Sequence, residues 1–143
     1  MISFLCEFKP RSVQAKRTNA YKEAIVTAYK KYYPECETLI TYDLYAISYY
    51  FYKRSLQIDA DNLSKPIWDA LKSTIYEDDR VIKIRYSGVY DVNKLGSGIS
   101  LDVTQMPANV YSDFIDLIDS SEHLLYVEIG KINDELYKMG VEK

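Results

Sequence analysis

An α+β fold is what this chain predicts: a mixed β-sheet in two layers, with helices over one face. Three observations carry that prediction. Short runs with β-favouring alternation bracket two stretches whose apolar residues recur at helical three-and-four spacing. Two of those runs, residues 81–90 and 99–105, read as a hairpin across a turn-prone stretch. A length of 143 residues with 48% apolar content suits one compact domain with a core of its own.

Residues 2–8 alternate like a strand, with Cys6 facing inward. Residues 9–17 form a basic loop carrying Lys9, Arg11, Lys16 and Arg17. Residues 18–33 read as a helix with Tyr21, Ala24, Ile25, Ala28 and Tyr29 inward. Residues 38–52 read as a long strand, since Tyr42, Tyr45, Tyr49, Tyr50 and Tyr52 fall in a β-favouring run. These five of fifteen tyrosines would pack a sheet and an interface between copies; the alternative is stacking on unpaired bases. Residues 63–75 read as the second helix, with Ile67, Ala70, Leu71 and Ile75 as its inward stripe. Pro66 is tolerated only in a first turn, so regular helix starts near residues 63–65 or kinks there. Residues 81–90 and 99–105 read as a hairpin across the turn-prone residues 91–98.

The tail, residues 107–143, reads as an acidic helical extension packed on or beside a core of residues 1–106. Val110, Phe114, Leu117 and Ile118 are helix-spaced, and Leu125, Ile129, Ile132, Leu136 and Met139 repeat as in a heptad. Asp119 and Glu122 resemble a capping pair for that second helix, and Gly140 suits its end. A helical hairpin is the preferred reading, though residues 124–129 alone could be a strand. Residues 1–106 hold 15 basic and 13 acidic residues, and residues 107–143 hold 3 and 8, which together give the net charge of −3. The heptad-like stripe points to packing or self-association, with docking of a protein partner or competition for the basic loop as alternatives.

Cys6 and Cys36 make neither a zinc pattern nor a disulfide framework, and read as free thiols in a reducing compartment. No signal-peptide pattern follows Met1 and no apolar run approaches membrane-spanning length, so a cytoplasmic protein without a membrane partner is expected.

Asp59-Ala-Asp61-Asn62-Leu63-Ser64-Lys65, then Asp69-Ala70-Leu71 and Tyr76-Glu77-Asp78-Asp79, is the chemically loaded stretch. Gathered carboxylates repel unless positive charge sits among them, and hard divalent cations such as Mg²⁺ take oxygen ligands while leaving room for phosphate. Metal-assisted phosphodiester chemistry is the leading reading. Lys65 and Asp69 follow Asp61 at successive helical turns. Asp78 and Asp79 must be brought back by the fold, for instance by a strand antiparallel to the helix. The bland alternatives are a helix cap at Asp59 or Asp61, a turn at residues 78–80, and an Asp61–Lys65 ion pair. An EF-hand is excluded, because Leu63 and Ser64 stand where an oxygen ligand and the turn glycine are needed.

The composite of Asp59-x-Asp61-Asn62-Leu63-x-Lys65, Asp69-Ala70-Leu71 and Tyr76-x-Asp78-Asp79 resembles the signature of the RusA family of Holliday junction resolvases. The resemblance extends loosely over residues 1–106. It implies a RusA-like fold and a homodimer that uses Mg²⁺, with Mn²⁺ as an alternative, to cut four-way DNA junctions symmetrically in recombination or repair. It further implies that Asp59, Asp61 and Asp79 hold the metal, with Asp78 as neighbour or auxiliary ligand. Lys65 matches the family's essential lysine and could stabilise charge on the phosphate or leaving oxygen. Asn62 and Asp69 would support the site. His123 lies far from the motif, so a histidine base is poorly supported. Lys9, Arg11, Lys16, Arg17, Lys53 and Arg54 are the candidate phosphate contacts, or else solvated surface charges. Two rivals stand beside the resolvase reading: a noncatalytic branched-DNA- or partner-binding protein, and a Mg²⁺-dependent phosphohydrolase on a small substrate. The latter lacks any glycine-rich phosphate loop.

Overall fold

A computed structural model describes residues 1–10, 18–35, 38–54, 58–96, 98, 100–133, 136 and 139–140. The elements in chain order are β1 (Ile2–Cys6), α1 (Thr18–Tyr32), β2 (Leu44–Tyr52), α2 (Ala60–Ala70), a 3₁₀ turn (Asp79–Val81) and β3 (Ile82–Asp91). A second 3₁₀ turn (Val92–Lys94), α3 (Ala108–Ser120) and β4 (His123–Lys131) follow. One mixed sheet runs β1-β4-β2-β3. β4 is antiparallel to both its neighbours, and β2 and β3 are parallel, joined by the α2 crossover. The chain is α+β as expected, with two antiparallel strand pairs beside one parallel pair.

Strand alternation sends the core residues to two faces. Phe4, Ala46, Tyr50, Leu125, Val127 and Ile129 meet Tyr21, Ile25 and Tyr29 of α1 and Leu63, Ile67 and Trp68 of α2. Leu5, Phe51, Leu124 and Tyr126 point the other way and meet Val110, Phe114 and Ile118 of α3. The tail therefore adds a layer to the two expected.

Two strands are placed differently from expectation. Residues 100–105 are not a strand, and Ile99 lies outside the described residues. Asp102 Oδ1 instead accepts from the backbone N–H and the hydroxyl of Thr104 at 3.0 and 2.7 Å, a local turn that takes a donor from any ladder. β3 pairs in parallel with β2 and stands at the edge of the sheet, with no hairpin strand following it among the described residues.

The second expected helix of the tail is instead β4. α3 continues through Asp119 to Ser120, so Asp119 and Glu122 start no helix, and residues 124–129 take the strand alternative. Residues 124–127 are buried in succession because a central strand is covered on both faces, which erases its alternation. The boundary at residue 106 does not divide the sheet, since β4 lies between β1 and β2. Cys6 is buried and free, and burial raises its thiol pKa; Cys36 lies outside the described residues. Among the described residues no helix is long and apolar enough to cross a membrane.

Candidate active site

α2 begins three residues earlier than its apolar stripe suggests, because Asp59 caps it. The Asp59 backbone is extended (φ −93°, ψ 169°) and its Oδ1 accepts from Asn62 N–H at 2.9 Å. Such a cap contributes about 1 kcal/mol. It leaves Pro66 inside the helix, where proline costs about 3 kcal/mol and deprives the carbonyl four residues back, that of exposed Asn62, of its partner. Burial of Leu63, Pro66, Ile67 and Trp68 offsets that cost. The helix mouth is then pinned to the sheet: Ser87 Oγ on β3 donates to Ala60 O at 2.6 Å, and Ser87 lies beside Ser48 of β2.

Arg85, two residues before Ser87, points to the same side of β3 and meets groups near the other end of α2. β3 thus runs antiparallel to the helix and carries the chain from Asp79 back to the helix mouth, while Asp79 itself stays with Lys72 and Arg85. A continuous line of charge follows. Lys65 Nζ lies 3.4 Å from Asp69 Oδ2, and Asp69 Oδ1 lies 3.6 Å from Lys72 Nζ. Lys72 Nζ is 3.7 Å from Asp79 Oδ1, and Asp79 Oδ2 is 3.4 Å from Arg85 Nη2. The cations are well exposed, whereas the Asp69 and Asp79 side chains are only 16% and 18% exposed.

Tyr76 forms the floor. It is fully buried and its hydroxyl donates to Trp68 O at 2.6 Å. Burial raises its pKa, the Asp79 and Asp69 charges add to that, and Arg85 opposes it. Asp69 Oδ1 is shut off from solvent without a hydrogen bond, and its charge partner Lys72 sits at ion-pair rather than hydrogen-bond distance.

The motif residues do not all converge. Asp61 is exposed in the first turn of α2, beside the Asp59 cap. Asp78 caps the 3₁₀ turn, accepting from Arg80 N–H at 2.9 Å, and that bond holds its carboxyl below the usual range. Among the described residues no three acidic, histidine or cysteine side chains are arranged to hold one metal ion. Asp59 and Asp78 accept from backbone N–H groups as caps, and Asp79 is turned into Lys72 and Arg85. Lys65 pairs with Asp69 rather than Asp61.

Of the expected phosphate contacts, Arg54 is exposed and Lys9 half-buried, while Arg11, Lys16 and Arg17 lie outside the described residues. The Lys53 ammonium is committed to the Asp119 carbonyl at the end of α3. His123 begins β4 and its Nδ1 meets the Tyr50 hydroxyl at 2.6 Å, away from the charge line. Sequence reasoning missed Lys72 and Arg85. Lys72 follows Asp69 at three residues, a helical spacing that could have found it; Arg85 is brought in only by β3 pairing. A hollow of about 220 Å³ on the α3 face, lined by Ile47, Tyr49, Phe51, Phe114 and Glu128, carries none of the motif. Ordinary ligand pockets are larger, roughly 300–1,000 Å³.

A family model described as endodeoxyribonuclease RusA matches residues 7–99. No curated protein matches the chain. The match covers α1, β2, α2 and β3 with the whole charge line, and stops short of α3 and β4.

Proposed function

The chain belongs to the RusA family of endodeoxyribonucleases, and on that premise we propose that it is a Mg²⁺-dependent resolvase that cuts four-way DNA junctions by paired phosphodiester hydrolysis. The observation that supports the reading is the α2–β3 arm, which carries Asp59 and Asp61 at the start of the helix, Lys65 in its middle and Asp79 just before the strand that runs back along it. The Lys65 ammonium, 59% exposed, can meet a phosphate, and its partner Asp69 limits the directions it samples. The first N–H groups of α2 lie at the same mouth and favour an anionic ligand. Arg54 and Lys9 would meet backbone phosphates without reading bases. A homodimer belongs to the same proposal, because two symmetrical nicks call for two sites.

The cation-paired state of Asp79 favours one second reading, a noncatalytic branched-DNA binder that keeps the motif for structure. A labelled four-way junction and a linear duplex incubated with Mg²⁺, with wild type beside Asp61→Asn, separate the two. Paired nicks in the junction alone, lost in the variant, are expected. Tight junction binding without nicks would install the binder instead.

A further inference from the structure

The sheet face under α3 carries a second polar arrangement, on the opposite side from α2 and the charge line. Glu128 alternates with Val127 along β4, so it points to the face that Leu124 and Tyr126 share. Tyr45 of β2 donates to Glu128 Oε2 at 2.7 Å, and the Tyr126 hydroxyl donates to Oε1. Gly130 stands across from Tyr45, where a first side-chain carbon would fall 2.5 Å from the Tyr45 ring. The missing side chain is what lets that ring lie across β4 and reach Glu128. Two phenols thus fix the carboxylate, one on each oxygen. An ionised carboxylate accepts at roughly four lone-pair sites, so both oxygens can take a further donor.

Glu128 also lines the hollow of about 220 Å³, together with the rings of Tyr49, Phe51, Phe114 and Tyr126. The Tyr49 and Tyr126 rings stack with centroids 6.5 Å apart, and Phe51 meets Phe114 edge-on at 5.5 Å. Asp102, which is exposed, adds a second carboxylate to the lining. Among the described residues no lysine or arginine lines the hollow or pairs with Glu128. A half-buried carboxylate beside aromatic faces is complementary to an organic cation. Guanidinium suits it better than ammonium: it is planar, weakly hydrated, stacks on rings and donates to both oxygens of a carboxylate. The volume admits a head group rather than a whole cofactor. The two negative charges also count against a phosphate-bearing occupant. We propose that this hollow is a binding site for a single guanidinium group, of the kind carried by an arginine side chain or a free alkylguanidine. The site is independent of the nuclease reading.

The test is a nuclear magnetic resonance titration of the full ¹⁵N-labelled chain with butylguanidinium, beside butylurea as its flat, neutral counterpart. Saturable shifts at the amides of Tyr49, Tyr126 and Glu128 are expected, with butylurea binding about tenfold more weakly. Glu128→Gln, checked for folding by circular dichroism, should weaken butylguanidinium binding by about the same factor. Equal binding of the two probes to wild type would overturn the proposal without recourse to any variant. So would shifts confined to other surfaces, no saturable binding, or full affinity in a folded Glu128→Gln. N-acetylarginine amide then separates the sources. Affinity equal to that of butylguanidinium supports an arginine within a protein chain, and its exclusion while butylguanidinium binds supports a free alkylguanidine.

Discussion

The arm from Asp59 to Ser87 and the tail from Ala108 to Lys131 divide the molecule's work differently. The arm holds its cations at the surface, where lysines and arginines trade places with solvent at little energetic cost. The tail hides what it contributes: Leu125 and Val127 are fully buried on one face of the sheet, and Leu124 and Phe114 are nearly so on the other. The family match ends before the tail begins, yet the tail supplies the strand that joins β1 to β2. Chemistry is written locally in this chain, while cohesion is completed by residues far along it.

The hardest way to break that contrast is to delete residues 107–143. Without β4, β1 has no partner in the sheet and α3 no longer covers the second core cluster. Loss of cooperative melting is expected, with an insoluble or molten product by circular dichroism. A truncated chain that melts cooperatively and still cuts junctions would show that the arm stands without the tail.

Single substitutions grade the contrast. Leu125→Ala opens a cavity at a fully buried site and should cost about 2–5 kcal/mol in urea unfolding. Lys65→Ala removes an exposed ammonium and leaves Asp69 with Lys72, so its stability cost should stay below about 1 kcal/mol, while junction cutting falls at least a hundredfold if Lys65 stabilises developing charge. A large stability loss with normal turnover in Lys65→Ala would make the residue a structural one and erase the distinction.

The same contrast explains what could be read in advance. β1, α1, β2 and β3 alternate or repeat with ordinary periods, and the expectation for each agrees with the structure to within a few residues, except that the observed β2 starts six residues later than read. The arm's acidic residues were visible because their spacing is local. β4 was not: four successive buried residues have no strand period, and Leu125, Ile129, Ile132 and Leu136 mimic a heptad by chance of position. Residues 99–105 misled in the opposite direction, since alternation there is real but Asp102 diverts the backbone into a turn. In the site, Asp59 and Asp78 took the capping roles that Asp commonly takes, and the partners of Asp79 depended on the α2–β3 pairing, which no local pattern encodes.

The mildest test uses the tyrosines, and it again sets tail against arm. Tyr45 and Tyr126 donate to the two oxygens of Glu128, and Tyr32 donates to Asp113 at 2.6 Å, so three phenols are tied to tail carboxylates. Burial first, and then these carboxylates, raise all three above the ordinary value of 10.0. A phenol whose pKa is raised by folding stabilises the native state fully below the unfolded pKa, and that contribution drains as pH climbs towards the folded pKa. Stability should therefore hold up to about pH 10 and fall steadily above it, read as urea midpoints at successive pH values. Glu128→Gln removes the charge that Tyr45 and Tyr126 share, so its midpoint should start lower near pH 8 and then fall less steeply in the alkaline range. Arm substitutions such as Lys65→Ala should leave the alkaline slope as it is in wild type. If Glu128→Gln and wild type fall in parallel, the tail carboxylate does not govern these phenols, and burial alone accounts for their resistance to ionisation.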